Sequence, residues 1–195
     1  MTVLSIVAIL SAVAIPQMIA QRRLTRSNAL AREIAVQMRY ARQLAMSQRQ
    51  AFTFSYDNTN KQVIIIDNNA SGTAVMLDGA YPNTAGSSIL RTIPLTQGGL
   101  AASEITYGTP AALPVGAQGA LADGVSRTAL ANSRINITFQ PDGSVIDGAG
   151  NPANSGLFIY NSSVPTATAA AISVLGSSGR VKIWRYTSGV NLYAE

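Results

Sequence analysis

Two carboxylates that could bind a metal ion lie in a turn-rich stretch near the carboxyl end of the chain. Asp142 and Asp147 stand within the sequence PDGSVIDGAG. With nearby backbone carbonyls they could hold a calcium ion, although their spacing does not match the loop of an EF-hand. The simpler role is hydrogen bonding of each carboxylate to the backbone of its own turn. We therefore expect no cofactor and keep calcium at these two residues as the alternative.

A basic and aromatic group near the end of the chain could bind an anion. Arg180, Lys182 and Arg185 lie in the sequence GRVKIWRY together with Trp184 and Tyr186. In an extended strand, alternate residues share one face, which groups Arg180 and Lys182 with the two aromatic residues. Such a row can hold phosphates and stack bases, so the three basic residues are candidate DNA-binding residues. Alternatively, the charges keep an edge strand from pairing with other strands.

The residue types that most enzymes and metal sites need are missing. The chain has no cysteine and no histidine. This excludes disulfides, thiolate chemistry, zinc sites with the usual ligands and a Ser-His-Asp triad. The glycine-rich stretch after Gly143 is not followed by a predicted helix, so it does not indicate a phosphate-binding loop. We predict that the protein is not an enzyme.

Positive charge is concentrated in the first fifty residues. Residues 1–50 contain seven Arg and one Glu, whereas residues 51–195 contain seven basic and eight acidic side chains. The first part therefore carries a formal charge of +6 and the second part −1. The net charge of +5 consequently says little about nucleic acid as a general partner.

The chain begins with an apolar run that ends at a proline. Residues 1–15, MTVLSIVAILSAVAI, carry no charge and are followed by Pro16. A run of this length falls short of the roughly 20 residues that span a bilayer. Pro16 should kink or locally open a helix, because it lacks a backbone donor. A signal peptide or a plain membrane anchor is the alternative, although Ile15-Pro16-Gln17 is a poor cleavage site.

Residues 21–50 are predicted to continue as a basic amphipathic helix. Apolar residues recur at spacings of three and four and form one stripe on the helix; they are Leu30, Ile34, Met38, Ala41 and Ala45. The arginines lie mostly off this stripe; they include Arg32, Arg39, Arg42 and Arg49. We expect the stripe to pack on the rest of the chain and the arginines to meet solvent or neighbouring subunits. Contact with acidic lipid or DNA is the alternative.

Residues 51–195 read as a β-rich head. Alternating patterns predict strands at residues 51–56, 61–67, 88–96, 103–109, 134–140, 156–161, 171–175 and 180–186, with a short one at 74–77. The first two and the last two are expected to form hairpins, and Pro94 restricts its strand to a sheet edge. Residues 110–133 form an unusually long loop, which favours a functional or mobile segment. The fold class is therefore α+β, with a long amino-terminal helix on a head of antiparallel sheets.

The apolar run with its proline resembles the amino-terminal helix of type IV pilins and type II secretion pseudopilins. In that family the mature chain opens with Phe-Thr-Leu-Ile-Glu-Leu, which this sequence lacks when the two are aligned on Pro16. Six more residues would give 21, enough to span a bilayer. We expect those residues and a leader to precede Met1; the family's methylated end and its glutamate would fall there.

The resemblance implies a membrane-anchored filament subunit. Residues 1–50 would be the pilin helix, with residues 1–20 in the membrane or filament core and residues 21–50 amphipathic, and residues 51–195 would be the head. The expected assembly residues are Leu4, Ile6, Val7, Ile9, Leu10, Val13, Ile15 and Pro16. The family places the head outside the inner membrane, in the periplasm and then on the filament. Arg22, Arg23 and Arg26 after the run favour the opposite orientation by the positive-inside tendency.

A second resemblance concerns the carboxyl-terminal half. The sequences ITFQPDG (residues 137–143), LFIY (157–160) and SGRVK (178–182) are similar to the GspH/FimT branch of the same superfamily. This implies a pilin or pseudopilin that polymerises with other such subunits and contacts inner-membrane lipid before assembly. In the FimT part, a Gly-Arg-x-Arg region is associated with DNA uptake, so the alternative is a minor pilin that binds DNA. Here the second basic residue is Lys182, which departs from that pattern.

Overall fold

Within the part of the chain that the computed structural model describes, one long helix, α1 (Thr2–Gln48), precedes nine strands. The structure describes residues 2–68, 88–114, 117, 121–147 and 149–195; within α1 it describes the side chains of residues 17–19 and 21–48. α1 runs through Pro16 without a break in the helix. At a rise of 1.5 Å per residue, its 47 residues correspond to about 70 Å.

The described strands form two antiparallel sheets. They are β1 (Phe52–Asp57), β2 (Gln62–Asp67), β3 (Ser88–Pro94), β4 (Ile105–Tyr107), β5 (Arg134–Phe139), β6 (Ser155–Asn161), β7 (Ala170–Leu175), β8 (Arg180–Thr187) and β9 (Leu192–Ala194). The first sheet has the order β3-β2-β1-β5 and the second the order β4-β6-β7-β8-β9. A short helix, α2 (Pro165–Thr168), joins β6 to β7. The prediction of a long helix on a head of antiparallel sheets is confirmed.

The main core lies between α1 and the inner faces of both sheets. The apolar stripe of α1 supplies Ile34, Met38, Ala41 and Ala45, all fully buried. The alternation in β1 turns its three aromatic side chains towards the helix; these are Phe52, Phe54 and Tyr56. Each strand next to β1 adds aliphatic residues on the same face, such as Val63 and Ile135 opposite Tyr56. The helix is therefore held by apolar burial on two sheets at once.

The sequence patterns do not show how the strands are divided between the sheets. The strands on either side of residues 97–99 are separated, since β3 belongs to the first sheet and β4 to the second. A 3₁₀ helix (Leu95–Gly98) follows Pro94 and carries the chain from one sheet to the other. The sequence patterns also miss β9, since only three residues pair there with β8. The expected strand at residues 74–77 lies outside the described residues.

The long segment at residues 110–133 packs on the outer face of the second sheet. Its apolar residues Leu113, Ala117, Leu121 and Val125 are buried against Phe158, Ala171, Trp184 and Tyr193. Asp123 accepts a hydrogen bond from Ser173 Oγ (2.6 Å), and Trp184 Nε1 donates to the same hydroxyl oxygen (2.8 Å). The described part of this segment is thus a cover with a small core of its own.

The β1–β2 turn is built around a buried carboxylate. Asp57 accepts hydrogen bonds from the backbone amides of Thr59 (2.9 Å) and Asn60 (3.0 Å) and pairs with Arg134 (3.3 Å). Burial alone raises the pKa of Asp57, but the hydrogen bonds from Asn60 and the charge of Arg134 outweigh burial and hold the pKa below its ordinary value. The ionised form is therefore the one that stabilises the fold.

Replacing Asp57 with asparagine is expected to lower the free energy of unfolding near pH 7 by about 1.5–3 kcal/mol, since charged hydrogen bonds are lost. Because the folded-state pKa lies below the unfolded value of about 3.9, the stabilisation is complete above that pH. It is lost as the pH falls through the folded-state pKa. Thermal unfolding of the full chain in detergent should therefore show a smaller stability difference between wild type and Asp57→Asn at pH 3 than at pH 6. An equal difference at both pH values would contradict this role.

Candidate functional site

Helix α1 presents one face to the head and the opposite face to solvent. The first contact with the head among described side chains is the ion pair between Arg23 and Glu104 (3.2 Å). Met18 and Ile19, one turn earlier, are 56% and 49% exposed. Further along, Val36 is half exposed on the side away from the core, next to Tyr40 at the following turn. The outward side of α1 thus carries scattered exposed apolar residues among polar ones, and the described side chains ahead of Arg23 are exposed.

The residues expected to drive assembly all lie in the part of α1 whose side chains are not described. Leu4, Ile6, Val7, Ile9, Leu10, Val13, Ile15 and Pro16 are placed by their helical backbone only. Among the described residues, no helix has an apolar stretch of the length needed to cross a membrane. The assignment of residues 1–20 to a membrane or a filament core stays a prediction.

Several arginines of α1 bind the head through its backbone. Arg26 donates to the carbonyl oxygen of Gly99 (2.8 Å), and Arg39 donates to that of Val181 (3.2 Å). Arg39 was expected to meet solvent or neighbouring subunits; it is exposed, and it also helps to orient the helix on the head. Arg32 is exposed and has no partner among the described residues. It is therefore available to a neighbour in the way the sequence analysis expected.

Arg42 lies where the two carboxyl-terminal sequence motifs meet. Its Nε donates to the carbonyl oxygen of Gly143 (3.2 Å), and its Nη2 donates to that of Ser178 (2.9 Å). Gly143 ends the ITFQPDG segment and Gly179 begins the Gly-Arg pair, and both have positive φ, 82° and 59°. Positive φ is accessible to glycine without steric cost. The two motifs therefore have a shared structural role, which is to form adjoining turns that hold helix α1.

Replacing Arg42 with alanine is expected to lower the free energy of unfolding by about 1.5–3 kcal/mol, because two charged hydrogen bonds to backbone carbonyls are lost. Arg42→Lys should recover only part of this, since an ammonium group does not reproduce the planar guanidinium. Urea unfolding of the full chain in detergent measures both. Arg32→Ala serves as the control and should change stability by less than about 0.5 kcal/mol. Equal effects at both arginines would contradict the assigned role of Arg42.

The final hairpin separates the three candidate DNA-binding residues. Lys182 forms an ion pair with Glu195 and lies 5.0 Å from the centre of the Trp184 ring. Trp184 is buried under the 110–133 cover, so its ring is not open to a stacking base. Arg185 lies on the other face of β8, in an open groove beside α1 that Arg32 also lines. Of the predicted basic row, only Arg180 is both exposed and without a side-chain partner among the described residues.

The two carboxylates considered for calcium each bind their own turn. Asp142 accepts hydrogen bonds from the amide (2.9 Å) and the hydroxyl (2.7 Å) of Ser144, which lower its pKa. Asp147 accepts from the amides of Asn151 and Ala149 (both 2.9 Å), and its pKa is also lowered. Among the described residues no group of three or more acidic side chains is placed to hold a metal ion. The geometry is that of the simpler turn-capping role.

The sequence contains a signal for the cover that strand alternation alone does not reveal. Leu113, Ala117, Leu121 and Val125 recur at every fourth residue between polar and small residues. Such spacing indicates one apolar face, but the prolines and glycines in between argue against a helix. The carbonyl partners of the arginines leave no comparable signal, because every residue carries a backbone carbonyl.

Comparison with known proteins gives two similar structures. No family model matches the chain, and no curated protein matches it. Two crystal structures of the type IV minor pilin FimU of Pseudomonas aeruginosa PAO1, in space groups P21 and P65, are 18% identical to it. The alignments cover 80% of this chain and 86% and 90% of the FimU chains, with TM-scores of 0.48 and 0.45. A likeness at this level says nothing about what the chain does.

Proposed function

We propose that this chain is a structural subunit of the pilin or pseudopilin class, which assembles through helix α1 into a type IV pilus or a type II secretion pseudopilus. The observation that carries the proposal is the length of α1. The helix has 47 residues, and head contacts among the described side chains begin only at Arg23. The described side chains ahead of Arg23, among them Met18 and Ile19, are exposed, so the front of the helix is open to other surroundings. Lipid before assembly and neighbouring helices after it would supply them.

The sequence supports this reading on separate grounds. The first fifteen residues carry no charge, and seven of the eight expected assembly residues are large aliphatic residues. Full burial of such a side chain is worth about 1.5–3 kcal/mol relative to water. Together with the resemblance to pilins, this favours an inner-membrane location with the head in the periplasm, followed by a filament at the cell surface or in the periplasm.

The DNA-binding alternative has less support from the described residues. Lys182 is neutralised by Glu195, and Trp184 is covered. Phosphate contacts dominate the affinity of non-specific nucleic-acid binding. With Arg180 as the one exposed and unpaired residue of the row among the described residues, the row can make few such contacts. We therefore favour the structural role.

Fractionation of native cells that produce the tagged full chain tests the proposal. We expect the chain in the inner-membrane fraction and, after filaments are sheared from the surface or a pseudopilus is purified, in the filament fraction. A soluble marker protein and an integral membrane protein serve as fractionation controls. Recovery of the full chain as a monomer in the aqueous fraction, with none in membranes or filaments, would overturn it.

A further inference from the structure

The head carries complementary surfaces at two opposite edges, one on either side of α1. At one edge, the end of β3, the 3₁₀ helix that follows it and helix α1 enclose an open groove of about 260 Å³. Apolar side chains make up much of its wall, including Leu30, Ile93, Leu95 and Leu100. Side chains of this kind gain free energy when an apolar group displaces water from the groove.

The opposite edge presents the apolar side chains that such a groove would accept. The turn after β8 and the strand β9 contain Val190 and Leu192, which are 60% and 54% exposed. Both are among the most exposed large apolar residues of the described chain. Leu192 lies in β9, the last strand of the second sheet, whereas the groove adjoins β3 of the first sheet.

Glu33 at the groove and Arg185 at the β9 edge are ionised side chains of opposite sign. Glu33 lines the groove, and the one contact of its carboxylate among the described residues is a hydrogen bond from Gln37 (2.7 Å). Arg26 also lines the groove, but its guanidinium is directed to Gly99 O. At the β9 edge, Arg32 and Arg185 line a second open groove and have no partner among the described residues. Glu195 lies there too, but it pairs with Lys182.

The exposed face of α1 that contains Val36, its ridge, lies between the two edges. Successive helical residues are turned by about 100°, which places Arg32 on one side of the ridge and Glu33 on the other, with Val36 between them. A contact that joins the Glu33 side of one copy to the Arg32 side of the next would leave the ridges of both copies facing the same way. Such a heterologous contact repeats without closing on itself when the rotation between copies does not complete a ring, and it then generates a filament.

We propose that a second copy of this chain occupies the groove: Val190 and Leu192 of one copy enter the groove beside Leu30 and Leu100 of the next, with Arg185 facing Glu33. This contact rests on the proposed function, since it joins heads in a filament whose helices also pack. Through this contact, each head has a fixed neighbour on either side around the packed helices. The apolar pair supplies most of the stability, and the charges set the direction of the contact.

Cysteine cross-linking in assembled filaments tests the contact, and the chain has no cysteine of its own to interfere. We expect the double variant Gln97→Cys/Leu192→Cys to give a ladder of dimers, trimers and longer species after oxidation, because each copy then carries both halves. The single variants should give no ladder. The pair Gln97→Cys/Thr59→Cys, with its second site at the exposed β1–β2 turn, is the matched control. A ladder of equal strength in that control, or dimers from Leu192→Cys alone, would overturn the contact.

A charge exchange provides a second measurement on the same filaments. In the double-cysteine chain, Glu33→Arg or Arg185→Glu alone should weaken the ladder by roughly two- to fivefold, and the two together should restore it. Failure of the combined variant to exceed the single ones overturns the assigned pairing. Filaments that contain the chain but give no ladder overturn the contact and leave the proposed function intact. A chain absent from filaments and membranes overturns the proposed function itself.

Discussion

Val13→Asp is expected to remove the chain from assembled filaments while its head stays folded. Val13 lies inside the uncharged run at residues 1–15. An aspartate at the centre of a membrane helix costs roughly 2.5–3.5 kcal/mol, a decrease of about a hundredfold in the favoured population. This is an upper bound for Val13, which lies two residues before the end of the run. The same carboxylate would be unpaired between packed apolar helices, where an uncompensated charge is also costly.

The measurement is the amount of tagged chain in sheared filaments relative to the amount in whole cells. Val13→Ala is the first control and should retain most incorporation, since it keeps the run apolar. Gln21→Asp is the second, because it places the same charge on an exposed position of the same helix. Undiminished incorporation of Val13→Asp would contradict the role assigned to the amino-terminal run.

Gly179→Ala is expected to destabilise the head by about 3 kcal/mol or more. Gly179 has φ of 59°, and a methyl group there would overlap the carbonyl oxygen of Gly143 and approach Arg42. The left-handed conformation costs a residue with a Cβ about 1–2 kcal/mol, and overpacking typically adds 1–3 kcal/mol. The clash involves backbone on one side, so it cannot be relieved by rotation of a side chain alone.

Gly150→Ala separates these two effects. Gly150 also has a positive φ, 87°, but a methyl group at that position would have no atom within 4 Å. Its replacement should therefore cost only the conformational part, about 1–2 kcal/mol. Urea unfolding of both variants in detergent gives the comparison. A Gly179→Ala chain no less stable than Gly150→Ala would show that the two turns do not adjoin.

Alternation in strands and periodicity in the helix predicted much of this fold, because burial of one face sets the spacing of apolar residues within a single element. The apolar stripe of α1 and the alternating aromatics of β1 each face one core, so their spacing follows from the geometry of a single element. The assignment of β3 and β4 to different sheets has no such pattern in the sequence. It depends on a 3₁₀ helix after Pro94 whose direction is set by tertiary packing. β9 is too short to show a period at all.

The candidate site was less predictable than the fold. The basic residues at the end of the chain could be found by type, but the pairing of Lys182 with Glu195 joins residues 13 positions apart across β8 and β9. The role of Arg42 was invisible for a similar reason. Its partners are carbonyl groups 101 and 136 residues away, whose positions depend on two glycine turns.

The attachment of α1 to carbonyl oxygens at residues 99, 143, 178 and 181 has a consequence for how the head can vary. A carbonyl is present whatever side chain its residue bears, so Ser178 or Val181 can be exchanged without removing the acceptor. Only the course of the main chain must persist, and that depends chiefly on the two glycines. The surface side chains of the head can therefore vary widely while α1 keeps the same contacts with the head.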